Sequence, residues 1–286
     1  MPVGPAGSVD PEPVTVYEPV DRSIPPLADY AAAVWERRHF IWHLSSSELK
    51  AQHYNTMLGQ AWNLLTPLLL AACYLLLLRV LREGERGQAD HVAALLSGLF
   101  FFFFTRNCLQ DGSRSLVKGE RYLLNSALPR MALPLAAVVQ AFLKFIPTLL
   151  VYLLVHVLVI QEPVGAGFLV LPVLIVIQTA FNIGVTLTMA VLTVYVRDTS
   201  TAMPFITRLW IYVTPVLFLI EDIPEDLQTL FKANPLYPLF AALQQIVGGG
   251  TPSPWLLLAA SAWAALSLVI GVLVFVVRER DLAVRL

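Results

Sequence analysis

Residues 168–195 read FLVLPVLIVIQTAFNIGVTLTMAVLTVY, with no Asp, Glu, Lys or Arg among them. A helix of that length rises about 42 Å, more than the roughly 30 Å of hydrocarbon in a bilayer. Its apolar residues cover every side rather than one stripe, so no soluble neighbour could hide them all. Comparable runs lie on either side, at 61–81, 91–110, 133–159, 203–220 and 255–277, which makes six expected crossings. Composition agrees, because 57% of the 286 residues are hydrophobic, only 14% are charged and the mean hydropathy is +0.69. Soluble domains carry about 25% charged residues. A soluble enzyme, a disordered scaffold and a secreted disulfide scaffold are therefore excluded. A net charge of −1 leaves no basic surface for nucleic acid. Cys73 and Cys108 lie in apolar runs and read as filler. The expected fold is an all-α integral membrane protein.

The ends of the chain differ from this core. Residues 1–28 intersperse Pro2, Pro5, Pro11, Pro13, Pro19, Pro25 and Pro26 with Asp10, Glu12, Glu18 and Asp21. Such a stretch buries too little surface to offset its ordering entropy, so a disordered tail is expected. It has neither the basic start nor the apolar middle of a signal peptide, which predicts a cytoplasmic tail. Residues 29–60 are amphipathic: Tyr30, Val34, Trp35, Ile41, Trp42 and Leu44 alternate with Glu36, Arg37, Arg38, His39 and Lys50. Tryptophan and base together predict a helix lying in the headgroup layer. Residues 61–286 then form the six-span domain. Within it, 221–254 is too broken for a crossing: acidic residues precede Leu227–Phe231, and the phrase Asn234-Pro235-Leu236-Tyr237-Pro238 precedes Leu239–Val247 and Gly248-Gly249-Gly250. Two short helices hinged at the prolines, re-entering the membrane as a hairpin, are expected.

Lys and Arg set the orientation. Arg22, Arg37, Arg38, Lys50, Arg114, Lys118, Arg121, Arg130, Arg197, Arg278, Arg280 and Arg285 fall on one side; Arg79, Arg82, Arg86 and Lys232 fall on the other. Both termini are therefore expected in the cytoplasm. Arg106 and Arg208 lie near span ends and can snorkel to the headgroups. Lys144 cannot, because it falls near the middle of the third span, where a charge costs about 2.5–3.5 kcal/mol. It must face a polar interior or a subunit contact.

Reagents for catalysis are scarce. No lysine follows a glycine, so there is no phosphate loop of the G-x-x-x-x-G-K type. A metal spacing of the Cys-x-x-Cys kind is missing too. The carboxylates Glu221, Asp222, Glu225 and Asp226 could hold Mg²⁺ against a diphosphate in a membrane-bound transferase, but a solvated outer loop explains them as well. An ion-coupled flippase would need intramembrane carboxylates, and none falls inside the six runs. Aromatic rings are the other candidates. Phe100–Phe104 covers all sides of its helix, so some rings should meet neighbours and some lipid; Trp210, Tyr212 and Phe218 recur along the fifth span.

Four stretches, in order, carry a family resemblance. The first is Glu48-Leu49-Lys50 through Tyr54–Trp62 with Pro67. The second is Gly119–Arg130, ending Leu128-Pro129-Arg130 with Leu133-Pro134 after it. The third is Tyr195-Val196-Arg197-Asp198 and the fourth is Asn234–Pro238. Over about residues 40–280 the chain resembles the permease subunit of ABC exporters for polysaccharides, the group of O-antigen, teichoic-acid and galactan exporters. It departs at Lys50-Ala51-Gln52-His53-Tyr54, where the family is richer in arginine, and the acidic tail lies outside the family pattern.

The resemblance implies a homodimer in the bacterial inner membrane that moves a lipid-linked polysaccharide. It implies a cytoplasmic ABC ATPase as partner, with ATP and Mg on that partner and no cofactor on this chain. Segment 113–130 would couple to the ATPase through Lys118, Glu120, Arg121, Leu123, Leu124 and Arg130. The path would involve Trp62, Phe101, Phe104, Lys144, Trp210, Tyr212 and Phe218. The outer gate would use Phe231, Asn234, Pro235, Tyr237 and Phe240, with Gly248–Gly250 as its swinging hinge.

Overall fold

The computed structural model describes residues 27–52, 57–81, 88–119, 129–161, 164–220 and 224–285. Among them all regular structure is helical. Among the described residues four helices are long and apolar enough to cross a membrane: Val92–Ser113, Ala132–Ile160, Ala166–Tyr195 and Pro254–Glu279. Nearly all of the expected tail, residues 1–26, lies outside the described residues, as do Glu120, Arg121, Leu123, Leu124, Glu221 and Asp222.

The amphipathic stretch forms two helices rather than one, α1 (Leu27–Glu36) and α2 (Arg38–Ala51), broken at Arg37. Ile41, Leu44 and Ser45 turn inward from α2, while Trp35 and Trp42 stay exposed. Ser45 donates to the Ala136 carbonyl at 2.8 Å, which holds α2 against the start of the third long apolar run. Next come α3 (Trp62–Leu81), α4 (Gln88–Ser113), α5 (Ser115–Lys118) and α6 (Ala132–Val155), the last prolonged by a wider turn to Ile160.

Helix α4 runs through the middle of the molecule. Its apolar stretch is 78% buried, against 28–39% for the three other long apolar helices. Neighbours surround it on all sides, so Phe100, Phe101, Phe102 and Phe104 are each only 1% exposed. The expectation that some of these rings meet lipid is corrected for those four. Phe101 meets Phe145 edge-on at 5.1 Å, and Phe104 stacks on the same ring at 5.0 Å.

The stretch that opened the sequence becomes α7 (Leu171–Tyr195), entered through a 3-10 turn at Ala166–Val170. Gln178 on α7 donates to the Phe101 carbonyl and to Thr105 on α4, satisfying polar groups that lipid could not. On its other side α7 packs along α11 (Pro254–Arg285) more extensively than any other pair of helices. The two backbones touch at Gly184 and Gly271; a Cβ on either would sit 2.2 Å from the other helix's backbone.

The fifth expected span is where the chain departs most from its sequence reading. Helix α8 (Asp198–Val213) starts earlier than 203 and stops well before 220. Its sixteen residues rise about 24 Å, short of a bilayer's hydrocarbon. Pro215 causes the stop: it disfavours helical geometry at Thr214, which is extended at φ −106°, ψ 139°. Residues 214–220 then continue unwound. The two hairpin helices follow as expected, α9 (Glu225–Lys232) and α10 (Tyr237–Val247), separated by the Asn-Pro turn.

Unwound backbone inside an apolar protein must find hydrogen-bond partners. Two amides of the hairpin supply them. Asn234, 6% exposed, donates from Nδ2 to the Val213 carbonyl and to Thr214 Oγ1, both at 2.9 Å. Its Oδ1 accepts from the Trp210 indole at 3.1 Å and from the Leu236 amide at 3.0 Å. Gln244 donates to the carbonyls of Pro215 and Phe218 and accepts from the Ile220 amide. Hairpin and broken helix are thus stitched into one body. Its glycine run is no free hinge: Gly249 (φ +80°) and Gly250 press their carbonyls on Gly165 and Gly167, where a Cβ would come within 2.3 and 2.0 Å.

Candidate functional site

Helices α4 and α6 run antiparallel, and every side chain tilts toward its own helix N-terminus. Asp111, near the C-terminal end of α4, therefore tips back along α4, while Lys144, halfway along α6, tips toward the α6 start. They meet at 3.1 Å, with 35% and 17% of their side chains exposed. The polar surrounding that Lys144 required is thus a carboxylate on the next helix. Asp111 was missed because the second run was ended at residue 110, whereas the helix continues to Ser113. A carboxylate does lie within a membrane-crossing helix, contrary to the reading from the runs.

The pair partitions two cavities. The inner one, about 350 Å³, is lined by Glu48, Gln52, Asp111, Ser115, Lys118 and Gln140 among apolar neighbours. The other, about 410 Å³, lies between α3, α4 and α6 and includes Lys144; Gln52 borders both. Its walls combine three chemistries. Trp62 and Phe103 supply ring surface, Arg106 supplies positive charge beside the Asp111-paired Lys144, and Gln52, Asn63, Thr66, Asn107 and Thr148 supply amides and hydroxyls. The Arg106 guanidinium lies 5.6 Å from the Phe103 ring centre, at the wall of the cavity. Flat apolar faces, hydrogen-bonding groups and cations together suit a sugar carrying phosphate.

Two of the sequence-predicted path residues, Trp62 and Lys144, are brought together here. The others are not. Phe101 and Phe104 are closed inside the α4–α6 core and present no face to a passing molecule. Trp210 has its indole N–H engaged by Asn234 and its ring against Phe181. Tyr212 is 60% exposed on the outside of α8, and Phe218 meets Phe231 edge-on at 5.3 Å. Among the gate candidates, Asn234 is the buried hub, Pro235 and Tyr237 are half-buried, and Phe240 is 1% exposed against Phe102. Phe240 therefore cannot stack on a sugar in this conformation. Arg106, Asn63 and Asn107 were passed over because a polar residue near a span end resembles ordinary interfacial decoration.

Of the coupling residues within the described part, Lys118 is exposed at the end of α5. Arg130 is engaged within the chain: its amide donates to Glu279 Oε1 and its guanidinium to the Glu279 carbonyl. This ties the end of the coupling segment to α11. Tyr30 sits against the same Glu279, and burial with that carboxylate pushes its phenol upward.

Burial also raises the carboxyl of Glu48, and nearby Asp111 adds to the shift while Lys118 and Lys144 oppose it. A raised acid is more protonated in the folded state than in the unfolded one. Its contribution to stability is complete below the ordinary value of 4.5 and is lost as pH rises through the raised one. Glu48→Gln should therefore remove that part of the decline, flattening a plot of melting temperature against pH above 4.5 in detergent. An unchanged slope would show that Glu48 does not titrate in this way.

Residues 39–248 match the family described as ABC-2 type transporter. The chain is 24% identical over 211 residues to the O-antigen export system permease protein RfbA of Klebsiella pneumoniae, covering 73% of this chain and 80% of that protein. It is 26% identical over 215 residues to the protein of the same name from Myxococcus xanthus, covering 74% and 82%.

Proposed function

Because this chain belongs to the ABC-2 type transporter family, we propose that it is the transmembrane subunit of an ATP-driven exporter moving a lipid-linked polysaccharide out of the cytoplasm. The likeness to O-antigen export permeases supports the substrate class. The observation that carries the reading is the cavity beside Lys144, with rings for sugar faces, amides for hydroxyls and Arg106 for phosphate. ATP and Mg belong to a separate cytoplasmic subunit in this reading, docked near Lys118 and the segment that follows it. The protein is then a multi-pass inner-membrane protein with both ends in the cytoplasm, working as a homodimer.

Six crossings follow if α3 and α8 join the four long apolar helices, with 214–220 completing the passage of α8. Support for a re-entrant hairpin comes from Phe240 of α10 packing on Phe102, about 15 Å inside the Val92 end of its span. As an outer gate the hairpin would move together with 213–220, since Asn234 and Gln244 join them. An ion-coupled carrier is less well supported, because Asp111 is neutralised by Lys144 rather than free to take up a cation.

Export can be measured in inverted vesicles containing the partner ATPase and the lipid-linked polymer. Loss of a charged hydrogen bond costs about 1.5–3 kcal/mol, so Arg106→Gln should slow transport about tenfold or more. Trp62→Ala should act in the same direction, and both variants should retain the ATPase subunit. Wild-type transport in both would reject the cavity as part of the path.

A further inference from the structure

On the opposite side of α6 from the polar cavities lies a groove of about 780 Å³. The α1–α2 pair forms its mouth, and α6, α7 and α11 form its floor. We propose that this groove holds one acyl chain of an anionic bilayer phospholipid, with the head group at Arg38.

Three observations lead there. The floor is apolar and belongs to membrane-crossing helices; Val139, Phe142, Val176 and Ala180 line it, and Val176 is 67% exposed. Its length fits one leaflet. From Met131, beside α2, to Phe142 there are eleven residues of helix, or about 16 Å, against about 15 Å for half the hydrocarbon. The mouth has the right charge at the right depth. Arg38 borders the groove with its guanidinium 5.3 Å from the Trp35 ring, on a helix pair at the cytoplasmic ends of α6 and α7. Arg37 is exposed beside it, Glu36 stays in solvent, and the Glu279 carboxylate accepts the backbone amide of Arg130.

The occupant is a phospholipid rather than the exported lipid-linked sugar because the groove is lined by no amides for sugar hydroxyls. Those groups line the cavity on the other side of α6. A phospholipid bound here would brace α1–α2 against the bundle at a place where the protein leaves apolar surface open.

The test uses the full chain in phosphatidylcholine vesicles containing a small share of phosphatidylglycerol with a photoactivatable diazirine midway along one acyl chain. Labelled peptides are then mapped by mass spectrometry. Labelling should concentrate on 135–142 and 175–183, several-fold above that from phosphatidylcholine carrying the same group. Arg38→Glu should bring the two lipids to equal labelling. Val176→Phe, at an exposed position that accepts a ring without disturbing the core, should reduce groove labelling while leaving that at Leu258 and Val269 unchanged. Equal labelling by both lipids in the wild type, or labelling spread evenly over the exposed apolar perimeter, would overturn the proposal. So would displacement of the probe by the lipid-linked sugar, which would assign the groove to the substrate.

Discussion

Gly184→Leu is expected to leave almost no monodisperse protein after detergent extraction. At this position α7 and α11 touch backbone to backbone: an added Cβ would lie 2.2 Å from the carbonyl of Ser267 and 2.5 Å from the amide of Leu268. No flexible side chain can move aside, so the helices must separate along their longest contact. Overpacking a core typically costs about 1–3 kcal/mol, and here the obstacle is backbone, so the upper end or beyond is expected. In a membrane this loss is not offset by solvation, since helices associate there largely through close packing of small residues. Gly271→Leu, whose Cβ would meet the Gly184 carbonyl at 2.2 Å, should fail in the same way. Gly248→Ala is the control, because its nearest neighbour is the Gln244 carbonyl at 3.4 Å. A normal melting temperature and yield for Gly184→Leu would mean that the two helices are not in contact as described.

Asn234→Leu should have the next largest effect. Its side chain is nearly isosteric but removes four hydrogen bonds at once. The Trp210 indole, the Leu236 amide, the Val213 carbonyl and the Thr214 hydroxyl would then compete for fewer partners in a place water reaches poorly. Each buried group left unpaired costs about 1–3 kcal/mol, and since Thr214 loses only an incoming bond the expected total is about 3–5 kcal/mol. Thr214 keeps its own donation to the Trp210 backbone carbonyl, which Asn234 does not touch. The measurement is thermal unfolding in detergent, together with protease access at 214–220. A variant that melts with the wild type and stays protected there would refute the hub.

The comparison between these two sites shows what could be read in advance. Asn234-Pro235 was recognisable as a turn, and it is one. That the asparagine would cap the end of another helix 21 residues earlier was not, because nothing local at 234 points to Val213. Pro215 was a local signal for the end of α8, outweighed by the apolar run around it: hydropathy counts residues but does not register which of them can continue a helix. The same bias hid Asp111, one residue past an assumed boundary, and made Arg106 look like decoration. Lys144 was legible because a lone charge in mid-membrane has to be answered by something, although the sequence could not say by what.

The all-helical structure, the long apolar helices, the amphipathic stretch before them and the two short helices around the Asn-Pro turn were determined by the sequence itself. Each rests on properties that act within a short window: total apolarity over twenty residues, amphipathic spacing, or a proline that cannot continue a helix. Only the tertiary structure decided that α4 is central, that Phe101 and Phe104 are closed inside its core, and that Trp62, Arg106 and Lys144 share one cavity. These are pairings between helices that are uniformly apolar, and the outward sameness of such helices carries no register. The register comes instead from where small residues allow backbones to touch and where buried amides find partners, as at Gly184 and Asn234, and both depend on what the opposite helix presents.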